Sequence, residues 1–128
     1  MRLLLDTHVA LWALTGSPRL SARARELIGD GANEVVVSAA TVWEIAIKHS
    51  LARTTMPVSG EEAARLFSEA GYIELPVTAA HAAATERLPP LHADPFDRIL
   101  VAQAIAEPLR LLTHDRAICA YAGPIERV

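Results

Sequence analysis

Short apolar runs broken by turn signals divide the chain from end to end. Arg2 to Leu5 reads as a short buried strand, and Thr7 to Leu14 as a helix closed by Gly16 and Pro18. Ser21 caps a second helix through Ile28, which ends in the Gly29 to Asn33 turn. Glu34 to Val37 is β-branched and apolar, a second buried strand. A helix starts at Ser38 or Ala39 and runs through VWEIAIKHS to Leu51. Ser59 caps the next helix, GEEAARLFSEAG, with Gly71 as its stop. Tyr72 to Pro76 is a third strand, and Thr78 caps a helix through Arg87. After the PPLHA loop, Asp94 and Pro95 stand as cap and first residue of FDRILVAQAIA. Leu109 to Thr113 is a fourth strand, followed by a helix near Arg116 to Tyr121 and a last strand, Ile125 to Val128.

Strands alternating with helices predict an α/β fold: one domain over residues 1–128, with a mostly parallel sheet of about five strands covered by helices on both faces. In such sheets, sites form beyond the carboxyl ends of the strands, near the switch in strand order. Asp6 follows the first strand at that end, and Asp115 follows LRLLT at the same end of the fourth.

Composition narrows the function classes. The chain has 128 residues, the size of one ordinary domain, with 52% hydrophobic and 21% charged residues. That is ample for a packed core and argues against disorder. A net charge of −3 lacks the footprint of a general nucleic-acid binder, although a local basic patch is compatible with it. Cys119 is the only cysteine, so no disulfide framework or cysteine zinc site is expected, which suits a reducing cytoplasm. Asp6 and His8 interrupt the first apolar run, making it a poor signal peptide or membrane span.

LLLDTHVALWAL places Asp6 directly behind three leucines, where a lone carboxylate is costly to desolvate. There are five aspartates: Asp6, Asp30, Asp94, Asp97 and Asp115. Asp30 lies in a Gly/Asn loop and reads as a turn residue. The others lie at ends of core elements, and Glu44 joins them from the helix after the second strand. Singly, each has a plain structural role. Asp6, Asp94 and Asp115 read as helix caps, Asp97 as a first-turn acid complementing the helix dipole, and Glu44 as a partner of Lys48 one turn on. On the helix carrying Glu44, an apolar arc of Val42, Trp43, Ile45, Ala46 and Ile47 leaves Glu44 and Lys48 the narrow remaining side, at the rim of the strand ends. Jointly, carboxylates meeting there would repel one another, and a divalent cation removes that penalty; oxygen ligands suit Mg²⁺ or Mn²⁺.

Four stretches together, LLLDTHVALWAL, SAATVWEIAIK, HADPFDRILVAQA and LLTHD, resemble the PIN-domain proteins of the VapC toxin type. The resemblance covers nearly the whole chain, and the motifs stand in the family's order. It implies an acidic site at Asp6, Glu44, Asp97 and Asp115, with Asp97 preferred to Asp94 because the third acid precedes the alanine-rich helix, here RILVAQA. It also implies a Mg²⁺-dependent endoribonuclease (Mn²⁺ as substitute) that acts on tRNA or ribosomal RNA. Such a protein is the toxin of a type II pair, held inactive by a VapB-type antitoxin, and is typically a homodimer.

On this reading Asp6 and Asp97 hold the principal metal, Asp115 helps, and Glu44 acts through water. Thr7, Ser38 and Thr113 lie beside these acids and are candidate donors to them, or plain turn and cap residues. His8, His49, His81, His92 and His114 show no metal-ligand spacing and read as surface or packing residues. RNA phosphates would meet a rim drawn from Arg19, Arg23, Arg25, Arg98 and Arg116, of which Arg98 and Arg116 stand beside site acids. Trp12 and Trp43 are read as core or subunit-contact residues rather than base-stacking platforms. Ala10, Leu11 and Leu14 are expected to offer apolar surface to a dimer mate or antitoxin.

Other classes fit less well. A receiver domain needs an aspartate after its third strand, but YIELPVT has none, and the only lysine, Lys48, is on the wrong element. Neither GxxxxGK nor GxGxxG occurs. A dehalogenase-type phosphatase wants a second aspartate where His8 stands. The remaining alternative is a PIN fold acting only as an RNA- or antitoxin-binding scaffold.

Overall fold

The computed structural model describes residues 1–51 and 56–128. Five strands form one sheet: β1 (Arg2–Leu5), β2 (Glu34–Ser38), β3 (Ile73–Leu75), β4 (Arg110–Thr113) and β5 (Ile125–Arg127). The helices are α1 (Thr7–Thr15), α2 (Ala22–Gly29), α3 (Ala39–Leu51), α4 (Gly60–Glu69), α5 (Ala79–Ala84), α6 (Pro95–Ala106) and α7 (Arg116–Cys119). Every strand pair is parallel, in the order β3-β2-β1-β4-β5. The expected architecture is therefore present, and the sheet is wholly rather than mostly parallel.

Strand period divides the core. Leu3, Leu5, Val35, Val37 and Leu112 point to one face and pack with Val9, Ala24, Ile45, Ala63 and Phe67 from α1 to α4. Leu4, Val36 and Leu111 point to the other and meet Leu100, Val101, Ala104 and Ile118 from α6 and α7. Burial on both faces is why these strands read as continuous apolar runs.

Several ends differ from the sequence reading. The third strand is trimmed to Ile73–Leu75. The helix capped by Thr78 stops at Ala84 and continues as a 3₁₀ turn, Thr85–Arg87. The last helix ends at Cys119 rather than Tyr121. Gly16 caps α1 in the left-handed conformation at φ 63°, the role expected of it. On α3 the expected apolar arc is only partly turned inward: Ile45 is buried and Val42 and Ile47 are half-buried, but the inward face also takes in Glu44. Thr41, Glu44 and Ile45 are buried, whereas Trp43 and Ala46 are exposed. Ala10 and Leu11 are likewise buried in their own core and unavailable to a partner; Leu14 is half-buried against the same cluster. Among the described residues, no helix is long and apolar enough to cross a membrane.

This topology places a switch point at β1, which pairs with β2 on one side and β4 on the other. Their chains leave in opposite directions, opening a crevice at the carboxyl ends.

Candidate metal centre

Asp6 and Thr113 stand side by side at that crevice, because Leu5 pairs with Leu112 one residue earlier. The Asp6 backbone N–H extends the ladder by donating to the Leu112 carbonyl at 3.0 Å. The Asp6 side chain is 3% exposed. Its Oδ1 accepts from Val9 N at 2.8 Å, and its Oδ2 accepts from Thr113 Oγ1 at 2.5 Å. Burial nonetheless raises its pKa, opposed by those hydrogen bonds.

The other acids come from three further elements. A small cleft of about 140 Å³ is lined by Asp6, Glu44, Asp94, Asp97 and Asp115, together with Thr7, His8, Lys48, His92 and Ile118. All four acids of the expected site thus share one cleft, with Asp94 as a fifth. Glu44 is buried, and both its oxygens are held: Oε1 accepts from Thr7 Oγ1 at 2.6 Å and Oε2 from Lys48 Nζ at 2.7 Å. Glu44 thus pairs with Lys48 and lines the cleft as well. Asp97 is pushed up to about 6, chiefly by burial, with the hydrogen bond from His92 acting against the shift.

The capping roles are real too, and they are compatible with the cleft. Asp6, Asp94 and Asp115 each use Oδ1 to accept a backbone N–H of the helix they begin, from Val9, Phe96 and Ala117 respectively. These caps leave each Oδ2 for other work. Thr7 and Thr113 do donate to acids, whereas Ser38 caps its own helix by accepting from Ala40 N at 3.0 Å.

Two residues take places the sequence reading did not give them. His92 is no surface or packing residue. Its Nε2 lies 2.7 Å from Asp97 Oδ2 and 3.8 Å from Asp115 Oδ2. Ligand atoms of His92, Asp94 and Asp97 all fall within 4.8 Å of one another. The available signal was position, two residues before Asp94 in HADPFD, rather than any metal-binding repeat. Arg98 is not free at a phosphate rim. Its guanidinium donates to the carbonyls of Pro89, Thr85 and Leu88 and to the Tyr121 hydroxyl, at 2.8–3.3 Å. It thereby clamps the loop leading to His92. Arg116 remains exposed beside Asp115.

The donor set fits a divalent cation. Five carboxylates face one cleft, with Lys48 pairing a single one of them, and the cleft is about the size of an ion with a few waters. A larger groove of about 640 Å³ lies elsewhere, lined by Trp43, Phe96, Val77 and Ile99. It is apolar and lacks the acids, so the chemistry belongs to the smaller cleft. Trp43 is 63% exposed and meets Phe96 edge-on, so it is not a core residue. Trp12 is half-buried between His8 and His114.

Among solved structures, similar chains include VapBC2 from Rickettsia felis bound to a promoter DNA fragment, with TM-score 0.73 and 17% identity. DNA-bound VapBC from Salmonella typhimurium follows at 0.70 and 15%, and VapBC-1 from nontypeable Haemophilus influenzae at 0.61 and 15%. Each match covers 99% of this chain and 98% of the other. At these identities the likeness is one of fold. No curated protein sequence matches. The PIN domain family profile, however, spans residues 3–124, and those bounds take in β1 with Asp6, α3 with Glu44, and the Asp94–Asp97 and Asp115 segments. The chain belongs to the PIN domain family.

Proposed function

We propose that this protein is a metal-dependent endoribonuclease, the toxin of a type II toxin–antitoxin pair. The observation that carries the reading is the meeting of Asp6, Glu44, Asp97 and Asp115 in one cleft at the switch point of a PIN sheet. A bound Mg²⁺ or Mn²⁺ supplies Lewis-acid polarisation of a phosphodiester and acidifies a water.

The chain's own residues do the rest. Asp6 and Asp97 hold the principal ion, assisted by Asp115. Glu44 is pinned by Thr7 and Lys48 and orients the attacking water. Lys48 holds the second Glu44 oxygen in place through their 2.7 Å ion pair. Arg116, exposed at the start of α7, is the better placed of the two arginines to meet an RNA phosphate. Such single charges position RNA without reading its sequence.

Likeness to VapBC complexes supports a VapB-type antitoxin as partner; a homodimeric state and a cytoplasmic setting are part of the same proposal. The exposed apolar surface around Trp43 is compatible with a subunit contact.

The test is cleavage of total cellular RNA by purified protein, with Mg²⁺ or Mn²⁺, with EDTA, and with Asp6→Asn and Asp97→Asn variants prepared identically. Discrete fragments that need metal and vanish in both variants support the proposal. Equal cleavage by the variants refutes the site. Absent cleavage across tRNA and ribosomal RNA substrates, with metal still bound, favours the scaffold alternative.

A further inference from the structure

His92 enters the cleft from the loop before α6, and the fold holds it there. The hydroxyl of Tyr121, itself 4% exposed, accepts from His92 N at 3.1 Å and lies 3.4 Å from the His92 carbonyl. The same hydroxyl accepts from Arg98 Nη1 at 2.9 Å. Arg98 in turn ties down the carbonyls of Thr85, Leu88 and Pro89. A buried phenol and a fourfold arginine clamp are thus committed to the backbone carrying one imidazole.

The imidazole meets carboxylates at ligand spacing. With bonds of about 2.1 Å, two ligands of one ion lie about 3.0 Å apart at right angles and about 4.2 Å apart when opposed. His92 Nε2 stands 2.7 Å from Asp97 Oδ2 and 3.8 Å from Asp115 Oδ2. The widest spacing within His92, Asp94 and Asp97 is at most 4.8 Å, so closure onto an ion needs movement of about half an ångström. Asp94 caps its helix through Oδ1, which leaves Oδ2 for this purpose. A neutral nitrogen also adds a ligand without adding negative charge to a cleft already lined by five carboxylates.

We propose that His92 is a nitrogen ligand of the metal centre, completing it with Asp97 and Asp94, and that the centre therefore favours Mn²⁺ over Mg²⁺. The inference rests on the metal-dependent reading above and narrows a choice that an all-oxygen site, suited to either ion, leaves open. Imidazole discriminates against the hard, reluctantly dehydrated Mg²⁺ and suits the later divalent ions. Of the other histidines, His81 is consumed by the fold, accepting from Thr78 N and bridging to Glu107. His114 faces the Val128 carbonyl.

The test uses the full chain with Mn²⁺ or Mg²⁺, each added alone. Pulsed electron paramagnetic resonance of bound Mn²⁺ reads nitrogen coupling directly, and titration reads affinity for Mn²⁺ and Mg²⁺ in wild type, His92→Gln and Asp97→Asn. We expect a histidine nitrogen coupling in wild type. In His92→Gln we expect its loss and a fall in Mn²⁺ affinity of at least about tenfold, with Mg²⁺ affinity changed less than about threefold. Mn²⁺ bound without nitrogen coupling overturns the His92 assignment and leaves the nuclease reading standing. Unaltered Mn²⁺ preference in His92→Gln does the same. Wild type that binds neither ion better than Asp97→Asn overturns the metal centre itself.

Discussion

Thr113 Oγ1 lies 2.5 Å from Asp6 Oδ2 and at the same time accepts the backbone N–H of Asp115 at 3.0 Å. One hydroxyl at the end of β4 therefore sets two acids drawn from opposite ends of the sequence. Thr113 is fully buried, and Asp6 is nearly so.

Thr113→Val keeps the shape and removes both bonds. It should cost about 1–3 kcal/mol of stability, the usual penalty for stranding buried polar groups. Divalent-ion affinity should fall with it, because Asp6 loses its orienting donor. Chemical denaturation and metal titration of the same preparation check both; an unchanged midpoint would show that Asp6 is held by Val9 alone.

Burial of Asp97 gives the metal-free protein a pH-dependent term of definite sign. Asp97 is raised from 3.8 to about 6, so the folded chain keeps a proton that the unfolded chain releases earlier. The contribution of this group is therefore fully present below the lower value and is lost as pH rises through about 6, by up to about 3 kcal/mol. The raised pKa of Asp6 acts in the same direction. Urea unfolding in EDTA across this range should show the decline in wild type, and Asp97→Asn should lack its share. Excess Mn²⁺ should abolish it, since binding displaces the proton.

The two arginines beside the acids should separate cleanly. Arg98→Ala removes the clamp on residues 85–92 and should destabilise by about 2–4 kcal/mol, as expected when several hydrogen bonds to a charged group are lost. Arg116→Ala should change stability by less than about 0.5 kcal/mol. If Arg116 meets a phosphate, that variant also weakens RNA binding and lowers its salt slope by about one. Thermal melts and salt-dependent RNA binding distinguish the pair.

Helix packing offers a check far from the acids. A Cβ on Gly60 would stand 2.7 Å from Ala46 Cβ, where α4 crosses α3. Gly60→Ala should destabilise by about 1–3 kcal/mol, and Ala46→Gly should recover part of it in the double variant. Additive losses in denaturation would mean the helices separate instead of sharing the space.

The parallel sheet was legible because strands buried on both faces have no polar phase. Leu3 to Leu5 and Val35 to Val37 are apolar throughout, and cap residues mark almost every helix start. The acids were legible through their places at element ends. The orientation of α3 was not, because its apolar residues run nearly all the way round and periodicity cannot tell Trp43 from Thr41. Glu44 is buried because Thr7 and Lys48 satisfy it, and those contacts are set by tertiary structure. Arg98 looked free because its acceptors are carbonyls, which every residue has and no sequence pattern marks. His92 was hidden for a related reason: its neighbour Tyr121 lies 29 residues away.

Asp6, Asp94 and Asp115 each divide their two oxygens, one for a helix start and one for the cleft. A consequence concerns how such a protein can be silenced, in the laboratory or by drift. Alanine at any of these positions takes away the chemistry and a helix cap together, and a cap alone is worth about 1 kcal/mol. Lost activity in an alanine variant is therefore ambiguous between a missing ligand and a loosened fold. Asparagine keeps a capping oxygen and drops the charge, so it disarms the chain while sparing its architecture. A harmless but folded descendant of this protein would be reached most easily by that one change.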